Sequence, residues 1–145
     1  APMFEALAIQ LWLGETYGVE RGLWPAAGTP ERLQALSWCA WAYVSYGAVL
    51  TRLHRATCTA RDEVLRSSAH ADAARAELNG LLALLDTRLA RQPWMLGDAY
   101  SLADLLVGSV IGYSAYVGAP VADHAYVQQW LGHLQARPAM QIEGL

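Results

Sequence analysis

One short stretch constrains the fold more than any other: GDAYSLAD, residues 97 to 104, which directly precedes the apolar run LLVGSVIGYSAYVG. In SLAD, the Ser101 hydroxyl can accept a hydrogen bond from the amide of Asp104, and the Asp104 carboxylate can accept one from the amide of Ser101. This is the aspartate form of the capping box that begins an α-helix. The following helix is apolar on nearly every face, so its first turn should be buried, where amides without partners are costly. We therefore expect Ser101 and Asp104 to be structural caps rather than catalysts or metal ligands.

The second acid of this stretch, Asp98, follows Gly97 in a turn. Aspartate in such positions commonly accepts hydrogen bonds from the amides ahead of it. We therefore expect Asp98 to be a structural, turn-forming residue and not the partner of Asp104 in a catalytic pair.

Apolar residues recur at helical spacing along the chain, and no convincing pair of strands is indicated. Gly14 and Gly18 are typical helix stop signals, the glycine- and proline-rich segment 18–29 predicts a loop, and Thr29 before Pro30 predicts a new helix start. The class is therefore all-α, a bundle of about five helices. Five helices are predicted. The first begins near residue 1, the second runs from Pro30 to about Arg55, and the third ends near Arg91. The fourth runs from Ser101 to about Tyr116, and the fifth ends near Arg137.

Composition limits the classes of function. The net charge of -3 and the pI of 5.7 give no basic field for nucleic acid. The longest apolar run, 105–117, is too short to cross a bilayer, so we expect no membrane partner. The hydrophobic fraction of 54% leaves apolar side chains over for the surface, which suggests a partner or a further domain.

The residues that could bind metal are scattered. Cys39 and Cys58 stand alone, which fits a reducing cytoplasm, and neither has the spacing of a zinc site. The four histidines have no mutual spacing that would build a metal site, and we expect each of them on the surface. No metal site and no resident cofactor are therefore predicted.

Three segments in order resemble one family. GDxxSxAD follows a leucine-striped helix that ends in LxxLDxxLxxxPWML and precedes an apolar helix, which resembles the C-terminal helical domain of the cytosolic glutathione transferases. The stretch YVQQWLGHLQARPAMQ is similar to a late helix of that family, and EALAIQLWLGETYG is similar to the last helix of its thioredoxin-like domain.

The resemblance implies a domain organisation. Residues 1–17 would be the last helix of a thioredoxin-like domain that is otherwise missing or separate, 18–29 a linker, and 30–145 the helical C-terminal domain. In the family, the thioredoxin-like domain binds glutathione as a substrate and supplies the catalytic residue, which is unknown here. The helical domain walls the pocket for a small hydrophobic electrophile and builds a homodimer through its first two long helices. This segment alone is expected to be inactive.

The resemblance also implies site residues. Glu5 matches the family's glutathione-binding acid, although Ala6 stands where a serine hydroxyl is usual. Ala40, Tyr43, Val44 and Gly47 would face the substrate pocket, with dimer contact or packing as the alternative. Ala40 and Gly47 stand where many bacterial members have asparagine and histidine, which leaves a wide apolar wall. Tyr113 would line the pocket as well, with core packing as the alternative.

Two functions stay open at this point. One is the helical domain of a glutathione transferase that conjugates or reduces electrophiles. The other is a non-catalytic interaction and dimerisation module of the same fold, which Ala6 and the apolar wall favour somewhat.

Overall fold

The computed structural model describes residues 2–60, 63 and 66–141, and no strand occurs within these ranges. Two π-helical segments extend or join the α-helices, so that α2 and α3 form one continuous helical run. The all-α class and the bundle of about five helical runs are thereby confirmed. The elements are α1 (Ala6–Leu13), a π segment (Gly14–Gly18), α2 (Pro30–Ala40), a second π segment (Trp41–Tyr46), α3 (Gly47–Thr57), α4 (Ser68–Leu89), α5 (Leu102–Val117) and α6 (Ala125–Gln135).

Helix α5 lies at the centre of the bundle, in contact with α2, α3 and α6, while α4 packs on α3 and α6. Gly108 lets α6 approach closely, because a Cβ at this position would lie 2.4 Å from Leu134 Cδ1. The largest fully buried apolar side chains are Trp130, Tyr46, Leu53, Leu78, Leu82, Leu85, Met95 and Ile111. None of the described helices is both long and apolar enough to cross a membrane.

The expected stop at Gly14 is wrong, because the helical run continues as the π segment to Gly18. Both glycines are buried, and they serve a close approach instead. A Cβ at Gly14 would lie 3.1 Å from Trp24 Cδ2, and one at Gly18 would lie 2.9 Å from Trp24 Cβ. The loop after Gly18 thus folds back, and the indole of Trp24 fills the space that the missing side chains leave.

The loop between the first two helical runs is also fixed to α5. The amide of Leu102 donates to the carbonyl of Leu23 at 2.8 Å. The Arg32 guanidinium lies 5.6 Å from the centre of the Trp24 ring and forms an ion pair with Glu15. Segment 18–29 is therefore an ordered loop. It connects the first helical run to α2 and packs against the start of α5.

One histidine departs from the expected surface position. His124 is buried, and its Nε2 lies 2.9 Å from Asn79 Oδ1. The contact joins the residue before α6 to α4, so the imidazole has a packing role that its local sequence does not reveal.

Candidate functional site

Asp104 is fully buried at the first turn of α5, where its carboxylate accepts four hydrogen bonds. Oδ2 accepts from the Ser101 amide and from the Ser101 hydroxyl, each at 2.9 Å, within a capping box formed by these two residues. Oδ1 accepts from the Met95 amide at 2.7 Å and from Trp130 Nε1 at 2.9 Å. An ionised carboxylate has about four acceptor positions, so none is left for substrate or metal.

Asp98 does not have the role expected for it. Its side chain is exposed, and within the described part of the chain its carboxylate accepts no hydrogen bond. The turn is closed instead by the backbone, since the Trp94 amide donates to the Gly97 carbonyl at 3.1 Å and the reverse bond measures 3.2 Å. Gly97 has a φ of 136°, which side-chain-bearing residues rarely adopt. Asp98 and Asp104 therefore do not form a catalytic pair.

Two charged residues of α4 stabilise the segments around the start of α5 and α6, and neither role was predicted from the sequence. Asp86 accepts from the amides of Tyr126 and Val127 at 2.9 and 3.0 Å, which fixes the start of α6. Arg88 Nε donates to the carbonyl of Met95 at 2.8 Å. The partners of Asp86 are 40 and 41 residues away and leave no local signal, although Asp86 is part of the family-like LxxLD pattern.

The π segment Trp41–Tyr46 forms the surface beside α1. The Gly47 amide donates to the carbonyl of Ala42, five residues back, which widens the turn. The hydroxyl of Tyr43 donates to Gln10 Oε1 at 2.6 Å and so ties this wide turn to α1. π turns within α-helices often lie at functional sites, and this one contains two of the four residues expected on the pocket wall.

Beneath this surface lies an aromatic layer. Tyr46 is fully buried, and its hydroxyl lies 2.8 Å from Ser114 Oγ on α5. Burial raises the pKa of Tyr46 to about 12, so its phenol stays neutral at physiological pH. The ring of Trp41 lies 5.6 Å from that of Tyr46 and 5.2 Å from that of Trp38. The layer gives the wall a rigid backing.

The expected wall residues differ in exposure. Ala40 and Val44 are exposed, the latter at 66%, while Tyr43 and Gly47 are half-buried. The wall exposes no charged group of its own, so it can contact an apolar molecule without desolvating a charge.

Tyr113 lies on α5 and is 56% exposed. It lines a cavity of about 280 Å³ together with His54, Cys58 and Tyr116. This cavity contains none of Ala40, Tyr43, Val44 and Gly47. The structure therefore does not bring Tyr113 into one cavity with the wall at the π segment.

Glu5 lies at the start of α1 with an exposed side chain. Its φ of 68° is the one positive value among the non-glycine residues of the described ranges. Such a conformation costs of order 1 kcal/mol or more and is found preferentially at binding sites. Its carboxylate makes no capping bond to α1 and is free to meet another group.

The two cysteines differ in their surroundings. Cys39 is buried, and desolvation, together with the nearby Asp104 charge, raises the pKa of its thiol to about 12. It is therefore a packed, unreactive thiol, whereas Cys58 is half-buried. Within the described residues, no group of three or more histidine, cysteine and acidic side chains could hold a metal ion.

This chain is similar in sequence to the glutathione transferases. Residues 68–133 match the model of the glutathione S-transferase C-terminal domain. The chain is 31% identical over 144 residues to the glutathione S-transferase GstB of Escherichia coli K12, covering 96% of this chain. It is 27% identical over 137 residues to the disulfide-bond oxidoreductase YfcG of the same strain, covering 94% of this chain.

Among solved structures, the chain superposes with a TM-score of 0.79 on the theta class glutathione S-transferase from Xanthomonas axonopodis pv. citri with glutathione bound. The identity is 29%, and the match covers 96% of this chain and 71% of that one. A glutathione transferase from Methylococcus capsulatus gives a TM-score of 0.80 at 28% identity, with 96% and 64% covered. The chain spans 65% of GstB and 60% of YfcG.

Proposed function

Because this chain carries the C-terminal helical domain of the glutathione transferase family, we propose that it walls the electrophile pocket of a glutathione transferase. In this proposal, Ala40, Tyr43, Val44 and Gly47 contact a small hydrophobic electrophile. Glutathione is bound mainly by a thioredoxin-like domain, of which α1 is the last helix and to which Glu5 contributes an acid. Tyr113 would contact the electrophile from the neighbouring cavity.

The surface of α1 is the strongest support for a glutathione-binding domain packed on this chain. None of its residues is buried, although nearly all of them are apolar. Exposed apolar side chains grouped on one helix are typical of an interaction site, and a thioredoxin-like domain packed on α1 would cover them. The exposed large apolar side chains on and beside α1 are Met3, Phe4, Ile9, Trp12, Leu13 and Tyr17.

The hydrogen bond between Tyr43 and Gln10 supports a pocket at the junction. It holds the apolar wall beside α1, so a thiolate presented by the covering domain would meet an electrophile resting on Val44 and Ala40. The exposed Leu33 and Leu84, on the first two long helical runs, are proposed to lie in a homodimer interface. A cytoplasmic location stays a prediction.

The test is the conjugation of glutathione to 1-chloro-2,4-dinitrobenzene by the protein that carries both domains. Val44→Glu places a charge on the wall, so the KM for the electrophile should rise about tenfold while the KM for glutathione stays unchanged. Ala122→Glu adds the same charge at an exposed position outside the wall and should leave both constants unchanged. Light scattering on each variant gives its mass and tests the dimer.

Two results would count against the proposal. Unchanged kinetics in Val44→Glu would place the electrophile elsewhere. If the unaltered two-domain protein neither conjugates nor reduces electrophiles, the domain is a binding module instead.

A further inference from the structure

A groove of about 310 Å³ lies between the end of α4 and one face of α6, away from the wall at the π segment. We call it the α4–α6 groove. Leu89 and Trp130, both buried, close its base, and its exposed apolar lining comes from Pro93 and Tyr126. Its rim carries the side chains of Tyr126, Gln129, His133 and Arg91.

Both walls of the groove are fixed by hydrogen bonds. On one side, the side-chain amide of Gln92 donates to the carbonyls of Trp94 and Met95 at 2.6 and 2.9 Å, which holds the segment after α4. On the other side, Asp86 fixes the first amides of α6. A ligand would therefore meet a largely formed site, and little binding free energy would be lost in ordering it.

The charge of the lining is one-sided. Arg91 is cationic, and none of the residues that line the groove carries a carboxylate, although the whole chain has a net charge of -3. Within the described residues, the Arg91 guanidinium has no ion-pair partner. The His133 ring packs on Trp94, with 6.0 Å between the ring centres, which restricts its orientation. An anionic group is the complement of this rim.

We propose that the α4–α6 groove binds a small aromatic carboxylate, with its ring against Pro93 and Tyr126 and its carboxylate on Arg91. The volume lies at the small end of the range for ligand pockets, about 300–1,000 Å³, which fits a single-ring compound. Planar carboxylates form paired hydrogen bonds with a guanidinium, and His133 lies on the same rim to add a further donor. This site is independent of the proposed transferase chemistry.

The test is titration of the chain with sodium benzoate, followed by backbone amide chemical shifts. Shifts should be confined to residues 89–93 and 126–133, and benzyl alcohol, which has the same ring without the charge, should bind at least about tenfold more weakly. Arg91→Gln should weaken benzoate binding to a similar degree. Arg55→Gln removes one exposed cation elsewhere and should leave the binding unchanged.

The proposal is overturned if benzoate and benzyl alcohol bind equally, or if Arg91→Gln binds benzoate like the unaltered chain. Shifts that map to the cavity lined by Arg52, Arg55 and His70 would also overturn it. None of these results depends on glutathione or on the electrophile, so failure here leaves the proposed function standing.

Discussion

Helices α5 and α1 are both built mainly of apolar residues, but α5 buries seven of its sixteen residues while α1 buries none of its eight. The two helices also begin differently. Helix α5 begins at a buried capping box, whereas α1 begins at Glu5, which has a positive φ and makes no side-chain capping bond. Apolar composition alone therefore does not decide whether a helix belongs to the core of its own domain.

The difference lies in what surrounds each helix. The start of α5 is held by hydrogen bonds to Asp104 from two other parts of the chain, and Gly108 admits α6 at close range. Helix α1 is held along one edge, by the Tyr43–Gln10 hydrogen bond and by Trp24 packing against Gly14. Leu7 and Leu11 are half-buried against the core, and the other apolar side chains of α1 are exposed.

The largest effect is expected from Asp104→Ala, which removes the carboxylate that holds the start of α5. Four donors lose their acceptor, at least two of them buried backbone amides, and each unsatisfied group costs about 1–3 kcal/mol. The free energy of unfolding should fall by more than about 3 kcal/mol, and Tm by roughly 10 °C for a domain of this size. Thermal unfolding followed by circular dichroism measures both.

Asp98→Ala is the matched control, since it removes an exposed, unbonded carboxylate from the loop that precedes α5. It should change the unfolding free energy by no more than about 0.5 kcal/mol. Equal losses in the two variants would contradict the structural assignment of Asp104. An unchanged Tm in Asp104→Ala, with loss of ligand binding, would reverse it.

A smaller effect is expected from Gly108→Ala, one turn after Asp104 on the face of α5 that meets α6. The new methyl group would lie 2.4 Å from Leu134 Cδ1 and 3.4 Å from the Trp130 ring, so the buried Leu134 side chain must move at a cost of about 1–3 kcal/mol. Gly112→Ala, one turn further on, meets only Leu131 Cδ2 at 4.0 Å and should stabilise the helix by about 0.5–1 kcal/mol. If both substitutions stabilise, then α5 and α6 are not closely packed.

Only part of the role of Asp104 could be predicted from the sequence. Its pairing with Ser101 is local, because residues three apart at a helix start face one another. The bonds from Met95 and Trp130 are not local, and they decide that the carboxylate is fully occupied. Helix number and class follow from periodicity, since each apolar stripe is repeated many times along the chain.

Other features could not be predicted because their causes lie in tertiary contacts. Gly14 has the residue type of a helix stop, but the ring of Trp24 against it keeps the helical run going. The π turn before Gly47 has no local signature, and it changes which residues of the long run face outward. The separation of Tyr113 from that wall likewise depends on how α5 crosses α3, which residue spacing within one helix does not reveal.

The smallest effect on stability is expected just before α1, where Phe4 is 80% exposed. Phe4→Ser removes little buried surface, so the unfolding free energy should change by no more than about 0.5 kcal/mol. Because Phe4 is one of the exposed apolar side chains grouped on and beside α1, the fluorescence of a bound hydrophobic dye such as bis-ANS should fall clearly. Tyr116→Ser, which removes an aromatic ring that is 91% exposed on α5, should lower the dye signal less. A large loss of stability in Phe4→Ser would mean that α1 packs within this domain after all, and equal dye signals in the two variants would mean that its apolar residues do not form one surface.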